Sequence, residues 1–145
     1  MAAQPVQNYA NHTRWDPPFH MFVFPVAGIN VLAAIWNLVR NPGLGSAWFV
    51  ILALAAAVAV VKIRTYALKV QDRVIRLEER LRLSQLLAEP LRNGIGDLTE
   101  AQLIALRFAS DAEIPALVEK ALEGTMLPRE LKQAVVNWRA DYFRV

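Results

Sequence analysis

The chain has 145 residues, room for one domain or for a membrane anchor with a small soluble module. Apolar residues make up 55% of it against 20% charged, and nearly all of the excess lies between Phe19 and Val61. Cysteine is absent, which excludes disulfides, zinc thiolates, iron–sulfur ligation and thiol nucleophiles.

The first segment, residues 1–18, holds one of the two histidines, and the second follows closely. His12, Asp16 and His20 stand four apart, a spacing that would line one helical face and make them weak candidates for a metal or lipid-like ligand at a membrane interface. Pro17 and Pro18 disfavour helical geometry at Asp16 and Pro17, so interfacial anchoring is the plainer reading and no metal is assigned.

Phe19 to Val39 and Asn41 to Val61 contain no Asp, Glu, Lys or Arg. Each run is about the ~20 residues that cross roughly 30 Å of hydrocarbon. We place spans at 19–39 and 44–61. Arg40-Asn41-Pro42-Gly43 between them is a turn signal, so the helices are expected to be antiparallel neighbours in a hairpin at 19–61. Trp36 and Trp48 flank the turn, and Trp15 and Tyr66 flank the opposite ends, as aromatic belts at two interfaces would require. A signal peptide fits poorly, because Asp16-Pro17-Pro18 replaces a basic leader and a second span follows at once. A buried hairpin of a soluble protein would need more chain to cover it.

Asn30 and Asn37 are seven apart and share a face of the first span, and neutral amides there are expected to turn toward protein. Ala53 and Ala57, and Ala55 and Ala59, are small-residue pairs that permit close helix approach in the second span. Lys62, Arg64 and Lys69 follow it, each base adding on the order of 1 kcal/mol near an anionic surface. From Lys62 to Arg92 there are eight bases and four acids, and from Asn93 to Val145 six bases and eight acids. The positive-inside rule therefore expects the C-terminal part in the cytoplasm, and two spans return the N-terminus there too.

No breaker intervenes between the second span and Leu87, so one helix from about Gly45 to Leu87 is expected, its part within 62–90 forming a basic juxtamembrane arm. Ile63, Ala67, Val70, Val74, Leu77, Leu81, Ser84 and Ala88 recur in steps of four and three, a heptad seam. Asp72 to Arg76 and Glu78 to Arg82 stand as i,i+4 pairs on its outer face. The seam could meet a second copy, the folded-back C-terminal module or a partner protein.

Glu89-Pro90 ends the arm, and Asn93 to Asp97 reads as a flexible linker into the module at 91–145. Thr99 with Gln102, and Ser110 with Glu113, form capping boxes. Ile114, Leu117, Val118, Ala121 and Leu122 make the stripe of a second short helix ending at Gly124, and Pro128 opens a third with Leu131, Val135 and Trp138 on one side. The acid excess is the wrong sign for a phosphate surface, so no nucleic-acid partner is expected. There is no glycine-rich phosphate loop, nucleophile elbow or HExxH, and neither a cofactor nor a catalytic residue is assigned.

The blocks Gln7 to His20 (QNYANHTRWDPPFH), Leu103 to Ser110 (LIALRFAS) and Trp138 to Val145 (WRADYFRV) resemble those of a family of uncharacterised bacterial inner-membrane proteins, a domain of unknown function. The resemblance covers essentially the whole chain. It implies a bacterial source and an inner-membrane location, and no mechanism.

The expected fold is thus an all-α membrane protein: a transmembrane hairpin, a second helix extended into a cytoplasmic arm, and about three short helices. The expected function is a non-enzymatic structural or accessory subunit, embedded in the lipid bilayer and either self-associating or joined to other membrane subunits. Asn30, Asn37, Val70, Val74, Leu77 and Leu81 are its candidate interaction surface, with Trp15, Trp36, Trp48, Lys62, Arg64 and Tyr66 at the membrane interfaces. Energy-converting assemblies, respiratory or photosynthetic, are hosts that such small subunits suit, and no residue singles one out. The alternative functions are a metal- or lipid-binding protein at the interface and a tethered adaptor that recruits a soluble partner.

Overall fold

The computed structural model describes residues 6–13, 15–124 and 126–142. Among these the fold is all-helical, without a strand. Of the residues carrying the family resemblance, Arg14, Phe143, Arg144 and Val145 lie outside the described set. The chain divides into two units, one of residues 15–69 and one that joins the N-terminal segment before Trp15 to residues 70–144.

In the first unit, a π-helical stretch Pro18–Val23 leads without a break into α1, Phe24–Arg40, so that Pro18–Arg40 is one helix of 23 residues. Pro25 explains the wider opening turns. A proline inside a helix has no N–H to donate and its ring presses on the carbonyl four residues back, here that of Met21. Shifting the bonding one residue outward, as where the Phe24 N–H reaches the Phe19 carbonyl, relieves that conflict. Pro17 itself is helical (φ −59°, ψ −45°), against the sequence expectation. At a helix start the missing N–H groups have no partners to lose, so the Pro-Pro step is tolerated.

The next helix, α2, spans Leu44–Leu86, 43 residues, close to the single long helix read from the sequence. The turn between α1 and α2 is closed locally: the Ser46 hydroxyl donates to the carbonyls of Asn41 (2.7 Å) and Gly43 (2.9 Å), and the Asn41 amide donates to Asn37 Oδ1 (3.1 Å). The far end shows that the two helices run antiparallel. Arg64 of α2 forms an ion pair with Asp16 (3.5 Å) and lies over the Phe19 ring at 5.4 Å.

Covered positions on both helices follow alternating steps of four and three: Ala27, Val31, Ala34 and Leu38 on α1, and Ser46, Val50, Ala53, Ala57, Val60 and Arg64 on α2. Ala53 is the most deeply buried residue of the hairpin at 4% exposure, because a methyl side chain lets backbones approach. Ala55 and Ala59 face outward, so only one of the two small-residue pairs is used for packing.

The second unit is built on the C-terminal part of α2. Behind it come a 3-10 turn, Asn93–Asp97, and three helices: α3, Glu100–Leu106; α4, Ile114–Leu122; and α5, Pro128–Ala134. The expected flexible linker is therefore an ordered turn. Ile95 packs on the core, and Gly94 lies so close to Leu122 that a Cβ would meet its Cδ1 at 2.5 Å. Leu83 of α2 and Leu87, the residue after its end, join Leu103, Leu106, Ile114, Val118 and Leu131 in one buried cluster.

Caps fix the helix starts. Thr99 Oγ1 accepts from the Gln102 N–H and Gln102 Oε1 accepts from the Thr99 N–H, the complete box that the sequence indicates. At α4 the expected box is only half made. The Ser110 N–H donates to Glu113 Oε2 (3.4 Å), but the Ser110 hydroxyl donates to the same oxygen (2.7 Å) instead of accepting from the Glu113 N–H, and the helix starts at Ile114 with Pro115 in its first turn. Gly124 ends α4 with φ +70°, a backbone state that glycine adopts without a Cβ penalty. Helix α5 stops at Ala134, earlier than its apolar spacing suggests. Val135 is extended, and Trp138 pairs instead as a bridge with Ala109, with the Arg139 N–H donating to the Phe108 carbonyl at 2.8 Å.

Leu131 and Leu127 lie on and beside α5 but differ in burial, 0% against 67% exposed. Leu131→Ala is expected to cost about 2–5 kcal/mol in chemical unfolding of the purified protein, and Leu127→Ala less than about 0.5 kcal/mol.

Candidate functional site

Two features of the second unit are unusual enough to bear function. One is a buried charge cluster on α2, and the other is an apolar row on its opposite side.

Glu79 is buried, and it is held by two arginines. Arg82 Nη1 lies 3.1 Å from one carboxylate oxygen and Arg139 Nη1 lies 3.4 Å from the other. Arg82 also donates from Nε and Nη2 to Asp111 Oδ1 (2.9 and 2.5 Å) and from Nη2 to the Ala109 carbonyl (2.7 Å). One guanidinium thus joins α2 to the turn after α3. Arg76 pairs in the same way with Glu100 of α3. The i,i+4 pairs expected along α2 do not form; both arginines reach across to the module, whose carboxylates offer partners that also close the fold.

Burial pushes the Glu79 carboxyl above its ordinary 4.5, while the hydrogen bond and charge of Arg82 and then the charge of Arg139 pull it back. Asp111 is held below its ordinary 3.8, first by the Arg82 hydrogen bond and then by its charge. Partial burial acts to raise the Glu113 carboxyl too, but bonds from the Ser110 hydroxyl and from the N–H groups of Val136 and Asn137 outweigh it and leave it lowered. Neither carboxylate caps α4: Glu113 pins the segment after α5 and Asp111 the guanidinium of Arg82.

A cleft of about 690 Å³ adjoins the cluster, lined in part by Val6, Arg82, Ser110, Asn137 and Arg139. Ser110 and Glu113 resemble a nucleophile–base pair by distance alone. The lowered pKa of Glu113 and its filled acceptor sites make it a poor base, and the arrangement reads as structural.

The N-terminal segment is part of this unit, which its sequence did not indicate. Gln7 and Asp141 bond reciprocally through the Gln7 amide and the Asp141 backbone, with the Asp141 N–H donating at 2.8 Å. His12 sits between aromatic rings, 5.4 Å from Tyr9, 5.6 Å from Phe108 and 5.8 Å from Trp138. Arg129 Nε donates to the Tyr9 hydroxyl at 3.1 Å. The only available signal was the high aromatic content of both ends of the chain.

The metal candidates are spent on packing. His20 stacks on Trp15 at 4.2 Å, and its Nδ1 donates to the Asp16 carbonyl at 2.8 Å, while Asp16 pairs with Arg64. Among the described residues no three His, Asp or Glu side chains gather in a metal-binding group. In the first unit, Trp15, Trp36, Trp48 and Tyr66 are all exposed; Arg40 covers the Trp36 ring at 4.7 Å and Lys62 the Tyr66 ring at 5.6 Å. Asn30 and Asn37 are also exposed, and the row that packs on α2 is a different one. The amide face of α1 is therefore not the one that meets α2, and Asn37 serves the turn by accepting from the Asn41 amide.

The apolar row is the seam read from the sequence. Val70, Val74, Leu77 and Leu81 are 62%, 49%, 62% and 57% exposed, whereas Ile75, Glu79, Leu83 and Leu87 carry the module. The module therefore covers the side of α2 away from the seam.

Because Glu79 titrates above 4.5 in the fold, its contribution to stability falls as the pH rises from about 4.5 upward. Glu113 acts oppositely: its contribution is present above 4.5 and is lost as the pH falls below that value. Unfolding measured by urea across this range should show a steeper gain in stability above pH 4.5 for Glu79→Gln, and a shallower acid loss for Glu113→Gln. Arg82→Ala leaves the Glu79 carboxylate short of its main partner, and a loss of about 3 kcal/mol at neutral pH is expected.

No curated protein and no solved structure matches the chain. One family model matches it from end to end, over residues 1–145. The chain belongs to the family of unknown function DUF6526.

Proposed function

We propose that the protein is a non-enzymatic accessory or structural subunit of a bacterial cytoplasmic membrane, anchored by the helical hairpin with both ends in the cytoplasm. The observation that carries this reading is the bareness of the hairpin. Both helices are long and apolar enough to cross a membrane, and the protein buries 0% of the apolar window in the first and 11% in the second. In water, apolar rows of that extent would be a severe aggregation liability; in lipid they are the ordinary outer surface of a span.

The surrounding residues agree with a bilayer. Trp36 and Tyr66 sit beside cations near the ends of the apolar runs, where amphipathic rings meet headgroups. Lys62, Arg64 and Lys69 follow the second run, against Arg40 alone in the turn, a bias that favours a cytoplasmic second unit. Asp16 is neutralised by Arg64 at the same end. The buried Glu79 and Gln102 of the second unit are consumed in ion pairs and a helix cap, which supports a scaffold rather than a reaction centre.

The absence of cysteine makes topology directly testable. Single-cysteine variants at Gly43, in the turn, and at Glu119, on α4, should both remain in alkaline-extracted membranes. The membrane-impermeant thiol reagent should label Gly43→Cys in intact cells and Glu119→Cys only after lysis. Recovery of the protein in the soluble fraction would sink the reading, and the reverse labelling would invert its orientation.

A further inference from the structure

The bare seam on α2 has a pattern of its own. Counting in heptads, Val74 and Leu81 occupy a positions and Val70, Leu77 and Ser84 occupy d positions. A β-branched residue at a with leucine at d, as at Val74 and Leu77, favours two parallel strands, whereas Val70 at d and Leu81 at a do not, so the core alone does not set the pairing. The flanking charges decide direction more sharply. Arg73 and Arg80 fall at g, and Gln71, Glu78 and Gln85 at e. In a parallel pair each g residue meets the following e residue of the other chain, which sets Arg73 against Glu78 twice by symmetry. In an antiparallel pair g faces g, which sets Arg73 against Arg80. Neither Arg73 nor Glu78 takes part in an ion pair among the described residues, so both are free to reach outward.

We propose that this face, Val70 to Ser84, is a homodimer interface: a second copy of the chain packs parallel to the first along α2, with Arg73 of each copy paired to Glu78 of the other. The parallel direction rests partly on the membrane reading, because two copies inserted in one bilayer with the same topology must run the same way. Two heptads are too short to hold a free coiled coil together. Confinement to one membrane raises the effective concentration of the copies and makes a short seam sufficient. The module does not compete, since it occupies the opposite side of α2 through Ile75, Leu83 and Leu87.

The test uses the full chain in native membranes, with single cysteines introduced at Val74, at Leu77 and, as a control away from the seam, at Glu119. Mild oxidation should convert Val74→Cys and Leu77→Cys to disulfide-linked dimers at least about ten-fold faster than Glu119→Cys. In a Leu77→Cys background, Arg73→Glu and Glu78→Arg should each lower dimer yield by roughly three-fold, the scale of exposed ion pairs. The double exchange Arg73→Glu with Glu78→Arg should restore it, which an antiparallel pair would not do. Seam cysteines that link no faster than Glu119→Cys, or that link only to a different protein, overturn the proposal. Membrane extraction of the same samples separates the two questions: chains that stay in the membrane without linking refute the dimer alone. Chains found in the soluble fraction refute the membrane reading, and their seam linking still decides the dimer.

Discussion

The guanidinium of Arg82 is the most connected of the ties between the C-terminal part of α2 and the short helices packed on it, beside the Arg76–Glu100 and Arg139–Glu79 pairs. It reaches Glu79 on its own helix, Asp111 in the turn after α3, and the Ala109 carbonyl beside the Trp138 bridge. Around it close Leu83, Leu87 and the apolar faces of α3, α4 and α5. Three helices of seven, nine and seven residues are too short to be stable by themselves, so the fold depends on their sharing a core with α2. The buried Glu79 carboxylate is a local cost of that design, offset by Arg82 and Arg139 on the side of the long helix that the module covers.

That choice of side has consequences along the helix. Covering the stripe of Ile75, Glu79, Leu83 and Leu87 leaves Val70, Val74, Leu77 and Leu81 bare. A helix with one apolar stripe can bury it intramolecularly; α2 has two, and one chain supplies cover for only one. The same imbalance, on a larger scale, marks the hairpin, where only the narrow row through Ala53 is covered and nearly all the remaining apolar surface is left open. Each bare surface is matched by the residues beside it: aromatic rings and cations near the ends of the hairpin, complementary charges along the seam.

Several readings of the sequence went astray where a local rule met a distant partner. Arg76 and Arg82 look like members of i,i+4 pairs because the only acids visible along a helix are its neighbours. In the fold they find Glu100 and Asp111, which no spacing connects to them. Trp138 continues the apolar stripe of α5 on paper, yet the chain turns extended at Val135 to bridge Ala109. Which face of α1 meets α2 was not written locally either: α1 packs through Ala27, Val31, Ala34 and Leu38, where small and aliphatic side chains fit the approach to α2, and Asn30 and Asn37 stay exposed.

By itself, the sequence determined what depends on short stretches of chain: two charge-free apolar runs around a Pro-Gly turn, a long uninterrupted helix, the Thr99–Gln102 cap and the Gly124 helix end. Each rests on periodicity, on a missing donor or on a backbone angle, and all of those are written within a few residues. Only the tertiary structure decided which side of α2 is buried, where Arg82 spends its donors, and that Gln7 and His12 belong with Asp141, Phe108 and Trp138. Those outcomes turn on pairs separated by up to 134 positions, and the free energy of such contacts depends on what the rest of the chain has already covered.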